Sequence, residues 1–443
     1  MPKKKKALTI EERLQQALVP AEEQPYEVPE NWVWVRLGEV NKYISKSVNP
    51  ISEPDKIFEL YSVPSMVDNY PEIIAGSDIG SSKQSVCKKD VLLCKINPRI
   101  NRVWKVSQFT DNELIASSEW IIIRNNHIDE NYLMYCFQSK YFREFMLSNV
   151  SGVGGSLMRA QPKYVQTYPI PLPPLSEQQR IVERIEELFA KLDEAKERLQ
   201  EVEESFAVRK AAILHKAFTG ELTQQWRCEN GVSDESWEEK KLGEVALLLS
   251  GQDFPPTKYN SDGNGIPYIT GASNFDDTHI LINRWTDEPS VIAQENDVLL
   301  VCKGSGYGKT IIADFKEAHI ARQIMALRVK EIIDNNLLLY YLRNKNRFIK
   351  EQGQGLIPGL SRKVILSLTI NLPTLPEQHE IVRLIDDLLA RERTAQQAAE
   401  QALATIDLMK KSILARAFRG ELGTNKASEA SALELLRQVL AEN

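Results

Sequence analysis

Residues 173–185 read PPLSEQQRIVERI, and residues 373–385 read PTLPEQHEIVRLI. Residues 213–222 read ILHKAFTGEL, and residues 413–422 read ILARAFRGEL. In both cases the second copy stands 200 positions after the first, with no gap between the paired stretches. Further matches precede each copy. LGEV occurs at Leu37 and at Leu242, each time five residues after a tryptophan (Trp32, Trp237), and DVLL occurs at Asp90 and at Asp297. NYLMYCFQSKYFREF from Asn131 lines up with NLLLYYLRNKNRFIK from Asn336. The chain is therefore a tandem duplication, each unit a mixed segment of about 135 residues followed by a helical segment of about 45.

The helical segments carry a coiled-coil seam. In the first, Ile181, Ile185, Leu188, Leu192, Ala195, Leu199, Val202 and Phe206 follow one another in steps of four and three. In the second the same frame reads Ile381, Ile385, Leu388, Glu392, Ala395, Ala399, Ala402, Ile406, Met409 and Ile413. Its alanine-rich middle lets a bulkier helix approach closely, and the first copy offers Leu192, Leu199 and Phe206 as large knobs. Ser176 with Gln179 predicts a capping box at the start, and Gly220 predicts the stop. From Ser176 to Phe218 such a helix is about 64 Å long. The competing reading is two separate amphipathic helices, each packed on its own domain.

The intervening segments contain short strand-like runs (VLLCKI, EWIIIR, PYIT, DVLLVCK, IMALRV) separated by glycine, proline and asparagine. A helix is expected near the end of each, from Asn131 to Leu147 and from Asn336 to Lys350. The fold class predicted is α/β: two similar α/β domains separated by two long helices that form an antiparallel coiled coil, a pseudo-two-fold repeat. The expected boundaries are a helical N-terminal segment (1–30), a first domain (31–172), a first long helix (173–222), a second domain (223–372), a second long helix (373–422) and a tail helix (423–443). The two frames are alike and their loops differ, as expected of two similar readers with different targets.

Composition is that of an ordinary globular chain, 42% hydrophobic and 26% charged over 443 residues. No apolar run approaches the roughly 20 residues of a membrane span. The start, MPKKKKALTIEERL, is basic but has no apolar segment behind it, so a secretory signal is not expected; its lysines suit a solvated tail or a phosphate backbone. The five cysteines are odd in number and lack CxxC spacing, which points to reduced thiols and a cytoplasmic protein. The five histidines show no metal-ligand spacing, so no metal site is expected. Net charge is −6, yet between Lys83 and Lys105 seven basic residues face one acid. For binding a polyanion, such a local stripe matters more than the total.

GSGYGKT, ending at Thr310, looks like a phosphate-binding loop but fails the pattern: Lys303 stands where the first glycine belongs. The alternating run TIIADF follows, so the stretch reads strand, glycine-rich loop, strand. Its glycines still allow close approach to a bulky partner. Lys303, Ser305, Tyr307 and Lys309 are candidate DNA contacts, or else an ordinary hairpin turn in solvent. The equivalent place after DVLL in the first copy holds Lys95, Asn97, Arg99, Asn101 and Arg102. Arginine and asparagine are well suited to guanine and adenine edges in the major groove. Ile96, Ile100, Val103 and Trp104 alternate with them as candidate core. Cationic polar loops at equivalent positions of two repeats are stronger evidence than either alone. Weaker candidates are Lys83 and Gln84 before the basic stripe, and Gln252, Lys258 and Tyr259 in the polar loop from Ser250. The glycine-rich runs SGVGGSLMRA (151–160) and QGQGLIPGL (352–360) suit hinges or backbone contacts to phosphate. No methyltransferase, nuclease or hydrolase constellation is present, so catalysis is not expected of this chain.

The two P-P-L-x-E-Q-x-x-I-V helices, each ending in A-F-x-G-E-L, resemble the specificity subunit of type I restriction-modification systems (HsdS). Pro173, Pro174, Leu175, Glu177, Gln178, Ile181, Val182, Ala217, Phe218, Gly220, Glu221 and Leu222 carry the resemblance. So do Pro373, Leu375, Glu377, Gln378, Ile381, Val382, Ala417, Phe418, Gly420, Glu421 and Leu422; Thr374 departs from the first copy's Pro174. The resemblance implies two target-recognition domains, each reading one half of a split site in double-stranded DNA, with the coiled coil as a ruler between them. It implies two methyltransferase subunits (HsdM) carrying S-adenosylmethionine, and motor-nuclease subunits (HsdR) carrying ATP and magnesium, with no cofactor in this chain. The terminal segments LTIEERLQQAL and SEASALELLRQVLAEN are expected to help dock the methyltransferase subunits, or to pack on their own chain. Two alternatives stay open: a coiled-coil scaffold with two ligand-binding domains not specific for DNA, and an ATPase.

Overall fold

Two short antiparallel ribbons open and close the mixed segments. Val33–Arg36 pairs with Pro169–Leu172, Val33 lying opposite Leu172. Glu238–Lys241 pairs with Thr369–Leu372, Glu238 lying opposite Leu372. Each domain thus leaves the chain and returns to it at one point, the foot of its long helix. Prolines set that point: Pro173 and Pro373 follow the closing strands, and the helices begin at Leu175 and Leu375. A ribbon of two strands tolerates proline at an edge where a central strand would not.

The computed structural model describes residues 8–152, 158–276, 278–304, 306–351 and 359–441. They divide into two compact units, residues 1–198 with 402–443 and residues 199–401. The division falls within both long helices, Leu175–Phe218 and Leu375–Ala417, so each unit holds the start of one helix and the end of the other.

In the first unit a five-stranded sheet runs in the order Ser47–Val48, Lys83–Ser85, Glu113–Ala116, Ile57–Tyr61, Glu72–Ala75. Beside it in the chain, Val91–Cys94 is the middle of a three-stranded sheet between Val103–Lys105 and Trp120–Ile123. In the second unit one four-stranded sheet has the order Ala246–Ser250, Ile324–Val329, Val298–Val301, Thr310–Ile312. The other has the order Trp285–Thr286, Ile266–Ile269, Glu317–Ile320, Ile292–Gln294. The strand that begins DVLL is buried throughout in both units. Its aspartate is buried too and meets an arginine in or just past the neighbouring strand of the sheet: Asp90 with Arg124, the residue after Trp120–Ile123, at 2.6 Å, and Asp297 with Arg328, within Ile324–Val329, at 2.9 Å.

The expected helices at Asn131 and Asn336 each prove to be two. Glu130–Gln138 stops at Ser139, whose extended backbone (φ −64°, ψ 153°) breaks the helix before Lys140–Ser148. Asn335–Asn344 is followed by Asn346–Glu351. The predicted capping box is also corrected. The helix already includes Ser176, and the Pro174 carbonyl accepts from the amides of Glu177 and Gln178. Gly220 does stop the first helix, at φ 81°, and Gly420 at φ 75° repeats the stop.

Both readings of the seam contribute. Ile181, Ile185, Leu414, Ala417 and Phe418 join the core of the first unit; Ile381, Ile385, Leu214 and Ala217 join that of the second. So the start of each helix packs on its domain together with the end of the other. The pairing is antiparallel. In the first unit Lys410 meets Asp193, and in the second Arg209 meets Glu392 at 2.9 Å and Lys210 meets Gln396 at 3.2 Å. Phe206 and Ile406 are buried; Leu188, Leu192, Leu199, Leu388 and Ile413 are half-buried. Val202 (42% exposed) and Met409 (48%) lie off the seam, contrary to expectation. The strict four-and-three spacing drifts around a straight helix, so contact passes to Arg209, Lys210 and Ile213 beyond Phe206.

Both chain ends pack on the first unit. Ile10–Ala17 begins with a capping box of Thr9 and Glu12, and Arg13 donates to the Leu440 carbonyl at 3.0 Å. Tail helix Ala432–Ala441 buries Leu436, Val439 and Leu440. The apolar faces expected to dock a partner are thus spent on the chain itself, because both helices are amphipathic and their stripes meet one shared core. Among the described residues no helix is long and apolar enough to cross a membrane. The N-terminal lysines and most of the two glycine-rich runs lie outside the described residues.

Candidate nucleic-acid interface

The first candidate loop leaves the buried strand Val91–Cys94 and returns at Val103. Asn97 takes a left-handed backbone (φ 44°), which asparagine tolerates better than most residues. Its amide donates to the Met158 carbonyl at 2.7 Å. Arg99 and Asn101 are exposed; Lys95, Asn97 and Arg102 are half-buried. Asn101 donates through Nδ2 to the Gln138 carbonyl at 2.8 Å, and Arg102 reaches the Ile96 carbonyl at 3.5 Å. Val103 and Trp104 are core as expected, whereas Ile100 is 46% exposed at the loop's tip. A concavity of about 570 Å³ beside the loop is lined in part by Lys83, Asn97, Arg102 and Glu119. Among the described residues no carboxylate pairs with Lys83, Lys95, Arg99 or Arg102. Lys83 donates instead to Ser81, and the Gln84 amide is held by the Ser117 and Trp120 carbonyls.

The second candidate loop is a hairpin. Leu300 lies opposite Thr310, so GSGYGKT turns between two strands and opens no helix. Lys303 and Lys309 are exposed and without a carboxylate partner among the described residues. Tyr307 was expected to face DNA. It is 9% exposed, and its hydroxyl donates to the Ile349 carbonyl at 2.8 Å. The glycines on either side let the chain fold the ring inward, which corrects the reading of Tyr307 as a contact residue. Ser305 lies outside the described residues. In the polar loop before it in the chain, Lys258 pairs with Glu288 at 2.7 Å, the Gln252 amide oxygen accepts from Ser290, and Tyr259 lies under Arg284. These three are engaged within the protein.

His319 braces that polar loop. It is buried, stacks on Phe254 at 4.0 Å, and its Nε2 donates to the Gln252 carbonyl at 2.9 Å while Nδ1 accepts from the Val291 amide at 3.2 Å. An acceptor at Nδ1 requires the neutral ring, and burial pushes its pKa below the ordinary histidine value. The unfolded chain therefore binds the proton more readily, and this support is present above the ordinary histidine pKa and lost as pH falls through and below it. Unfolding of the second unit, followed between pH 7.5 and 5.5, is expected to become easier on acidification, and His319→Gln to flatten that dependence. An unchanged slope in the variant would remove His319 as its source.

The E-Q pair shared by both repeats has a role the motif alone did not disclose. Glu177 and Gln178, like Glu377 and Gln378, are fully buried. Gln178 accepts from the Asp129 amide at 2.9 Å and donates to the Pro173 carbonyl at 2.9 Å. Gln378 accepts from the Asp334 amide at 2.8 Å and donates to the Pro373 carbonyl at 2.9 Å. Each glutamine thus ties the long helix to the first residue before its domain's helix. Each glutamate ties it to the incoming chain. Glu177 accepts from the Trp32 indole at 2.7 Å and from Asn425; Glu377 accepts from the Trp237 indole at 3.1 Å, from Thr223 at 2.7 Å and from Arg227 at 2.7 Å. The linker that serves the second unit is continuous, while in the first unit the same place is filled by the chain's two ends. The phenylalanines of A-F-x-G-E-L close the junctions: Phe418 lies edge-on to Tyr132 at 5.3 Å, Phe218 to Tyr341 at 5.6 Å.

The geometry describes two domains of like frame, each clamped to the foot of a long helix and each extending a cationic loop past a buried strand. The type I restriction modification DNA specificity domain (Methylase_S) matches residues 29–204 and again 234–402. The chain belongs to this family. It is similar to the type I restriction enzyme StySPI specificity subunit of Salmonella potsdam, 29% identical over 344 residues, covering 71% of this chain and 72% of the relative. It is also similar to the MjaVIII specificity subunit of Methanocaldococcus jannaschii, 26% identical over 403 residues, covering 85% and 91%. Among solved structures, the HsdS subunit of Thermoanaerobacter tengcongensis superposes with a TM-score of 0.69 at 27% identity, covering 90% of this chain and 99% of that one. A second, from a study of complex assembly and conformational transition in the type I restriction-modification system, gives 0.74 at 27% identity, covering 90% and 100%.

Proposed function

We propose that this chain selects DNA for a type I restriction-modification complex, each domain reading one half of a split site and the paired helices setting the gap. One observation carries the reading: after the buried DVLL strand, both domains extend loops whose exposed cations, Arg99 in one and Lys303 and Lys309 in the other, have no carboxylate partner among the described residues. Cations left without a protein partner at equivalent places of two repeats suit a polyanion. In this reading the chain is non-catalytic and cytoplasmic. Two methyltransferase subunits bring S-adenosylmethionine, and motor-nuclease subunits bring ATP and magnesium.

The test is to map modified bases in a host carrying this chain with its methyltransferase subunit, and in the same host without the chain. A methylated motif of two short halves around a fixed gap should vanish with the chain; a motif that persists unchanged would end the reading. Arg99→Ala and Lys309→Ala should each weaken a different half. Each lost base contact is worth about 1–3 kcal/mol of discrimination. A lost phosphate contact would instead weaken all sites alike and lower the slope of affinity against salt by about one.

A further inference from the structure

Past the Cys-Lys pair with which both begin (Cys94-Lys95, Cys302-Lys303) the two loops differ in sequence, yet each is tied to the same short helix of its domain. In the first domain the tie comes from the helix. Arg143, on Lys140–Ser148, donates through Nη2 to the Ile100 carbonyl at 3.1 Å and to the Pro98 carbonyl, both in the loop. In the second domain the tie comes from the loop: the Tyr307 hydroxyl donates to the carbonyl of Ile349, on Asn346–Glu351. In the repeat alignment Arg143 corresponds to Phe348, which is 43% exposed and cannot make the same tie. Two different side chains, acting in opposite directions, fix one relation between loop and helix.

Arg143 is an uneconomical way to stabilise a fold. It is 9% exposed, no carboxylate pairs with it among the described residues, and its Nη1 has no hydrogen-bond partner there. Burial pushes its pKa down to about 10, so it stays charged at neutral pH. A buried cation without an anion costs free energy that an apolar side chain of similar length would not. What it adds is geometry: one guanidinium nitrogen, Nη2, donates to two loop carbonyls, and so holds the turn that carries Arg99 and Asn101. Tyr307 has a similar place. Its neighbour Gly308 (φ 87°) lies so close to the helix that an added Cβ would stand 2.5 Å from Asn346 Oδ1. The hairpin carrying Lys303 and Lys309 is thereby pressed onto the helix.

We infer that Arg143 and Tyr307 are positioning residues for recognition, each setting the pose of one reading loop and hence the stringency of one half-site. The inference rests on the proposal that these loops contact DNA.

The experiment compares Arg143→Met, Arg143→Lys and Tyr307→Phe with Arg99→Ala and Lys309→Ala. All are studied as the full chain with its methyltransferase subunits, by modified-base sequencing and by thermal unfolding of the purified complex. Arg143→Met should relax the same half-site as Arg99→Ala and lower methylation of the native site by about ten-fold, the loss of one good base contact. The other half-site, the gap and the melting temperature should stay as they were. Arg143→Lys should recover part of the loss, since an ammonium still donates to the carbonyls. Tyr307→Phe keeps the ring and should relax the half-site that Lys309→Ala relaxes. If Arg143→Met does not assemble, the lysine and phenylalanine variants decide. Native motifs at native levels in the positioning variants, with both loop variants altered, would overturn the inference. So would a lowered melting temperature with methylation reduced equally at every site. If the loop variants leave both the motif and the level of methylation unchanged, the loops do not contact DNA and this inference fails on that premise, while the map with and without the chain still decides the proposed function.

Discussion

Four residues inserted between Arg198 and Leu199, together with four between Gln401 and Ala402, are expected to lengthen the gap of the methylated site and leave both half-sites unchanged. These positions are where the division between the two units crosses the helices. They lie between the cross-helix pairs, Asp193 with Lys410 on one side and Arg209 with Glu392 on the other. Each half of the pairing therefore keeps its own contacts when both helices grow together. Four helical residues add about 6 Å of rise and about 40° of rotation. One base pair of B-DNA adds about 3.4 Å and about 34°. The gap should grow by about one to two base pairs. An insertion in one helix alone shifts one strand of the pairing against the other and should abolish methylation. Mapping modified bases checks both. A double insertion that altered a half-site at constant gap would sink the ruler.

Glu377→Ala is expected to be the most damaging single substitution at the junctions. The carboxylate is fully buried against Arg227, itself 8% exposed in its side chain, at 2.7 Å, and it also holds Thr223 and the Trp237 indole. Truncation leaves the buried cation with the exposed Asp234 as its one remaining carboxylate among the described residues. Breaking such a pair costs about 3–5 kcal/mol. Urea unfolding followed by tryptophan fluorescence should show the loss in the second unit. Adding Arg227→Met should restore a large part of it, because removing both charges removes the stranded one. Glu177→Ala is the control. Its partners are the neutral Trp32, Thr424 and Asn425, so each donor left behind costs about 1–3 kcal/mol and no buried cation is stranded. Equal losses at the two junctions would refute the role given to Arg227.

Much of the candidate site was legible because it is local. DVLL followed by Lys95, Arg99 and Arg102, or by Lys303 and Lys309, shows where a buried strand ends and a cationic turn begins. Tyr307 was misread for the same reason. A tyrosine among glycines looks free, and only the helix 42 residues further on, with the Ile349 carbonyl, draws it inward. Arg143 was passed over entirely. On a short amphipathic helix it resembles any solvated arginine, and the loop it holds lies 43 residues earlier in the chain. Seeing the E-Q pair in both repeats marked it as important, yet its partners lie 145 residues away at Trp32 and 248 away at Asn425.

By itself the sequence determined the duplication, the two long helices with their glycine stops, the α/β character of the domains, and the hairpin at GSGYGKT. These follow from periodicity and from backbone preferences, which act over a few residues. Tertiary structure decided what closes each junction. The linker from Gly220 to Trp237 completes the second unit in one piece, whereas the first needs the N-terminal segment and the tail brought together around Glu177. Burial is the reason. A carboxylate removed from water must find donors wherever the fold supplies them, and no local pattern records which distant segment will bring them.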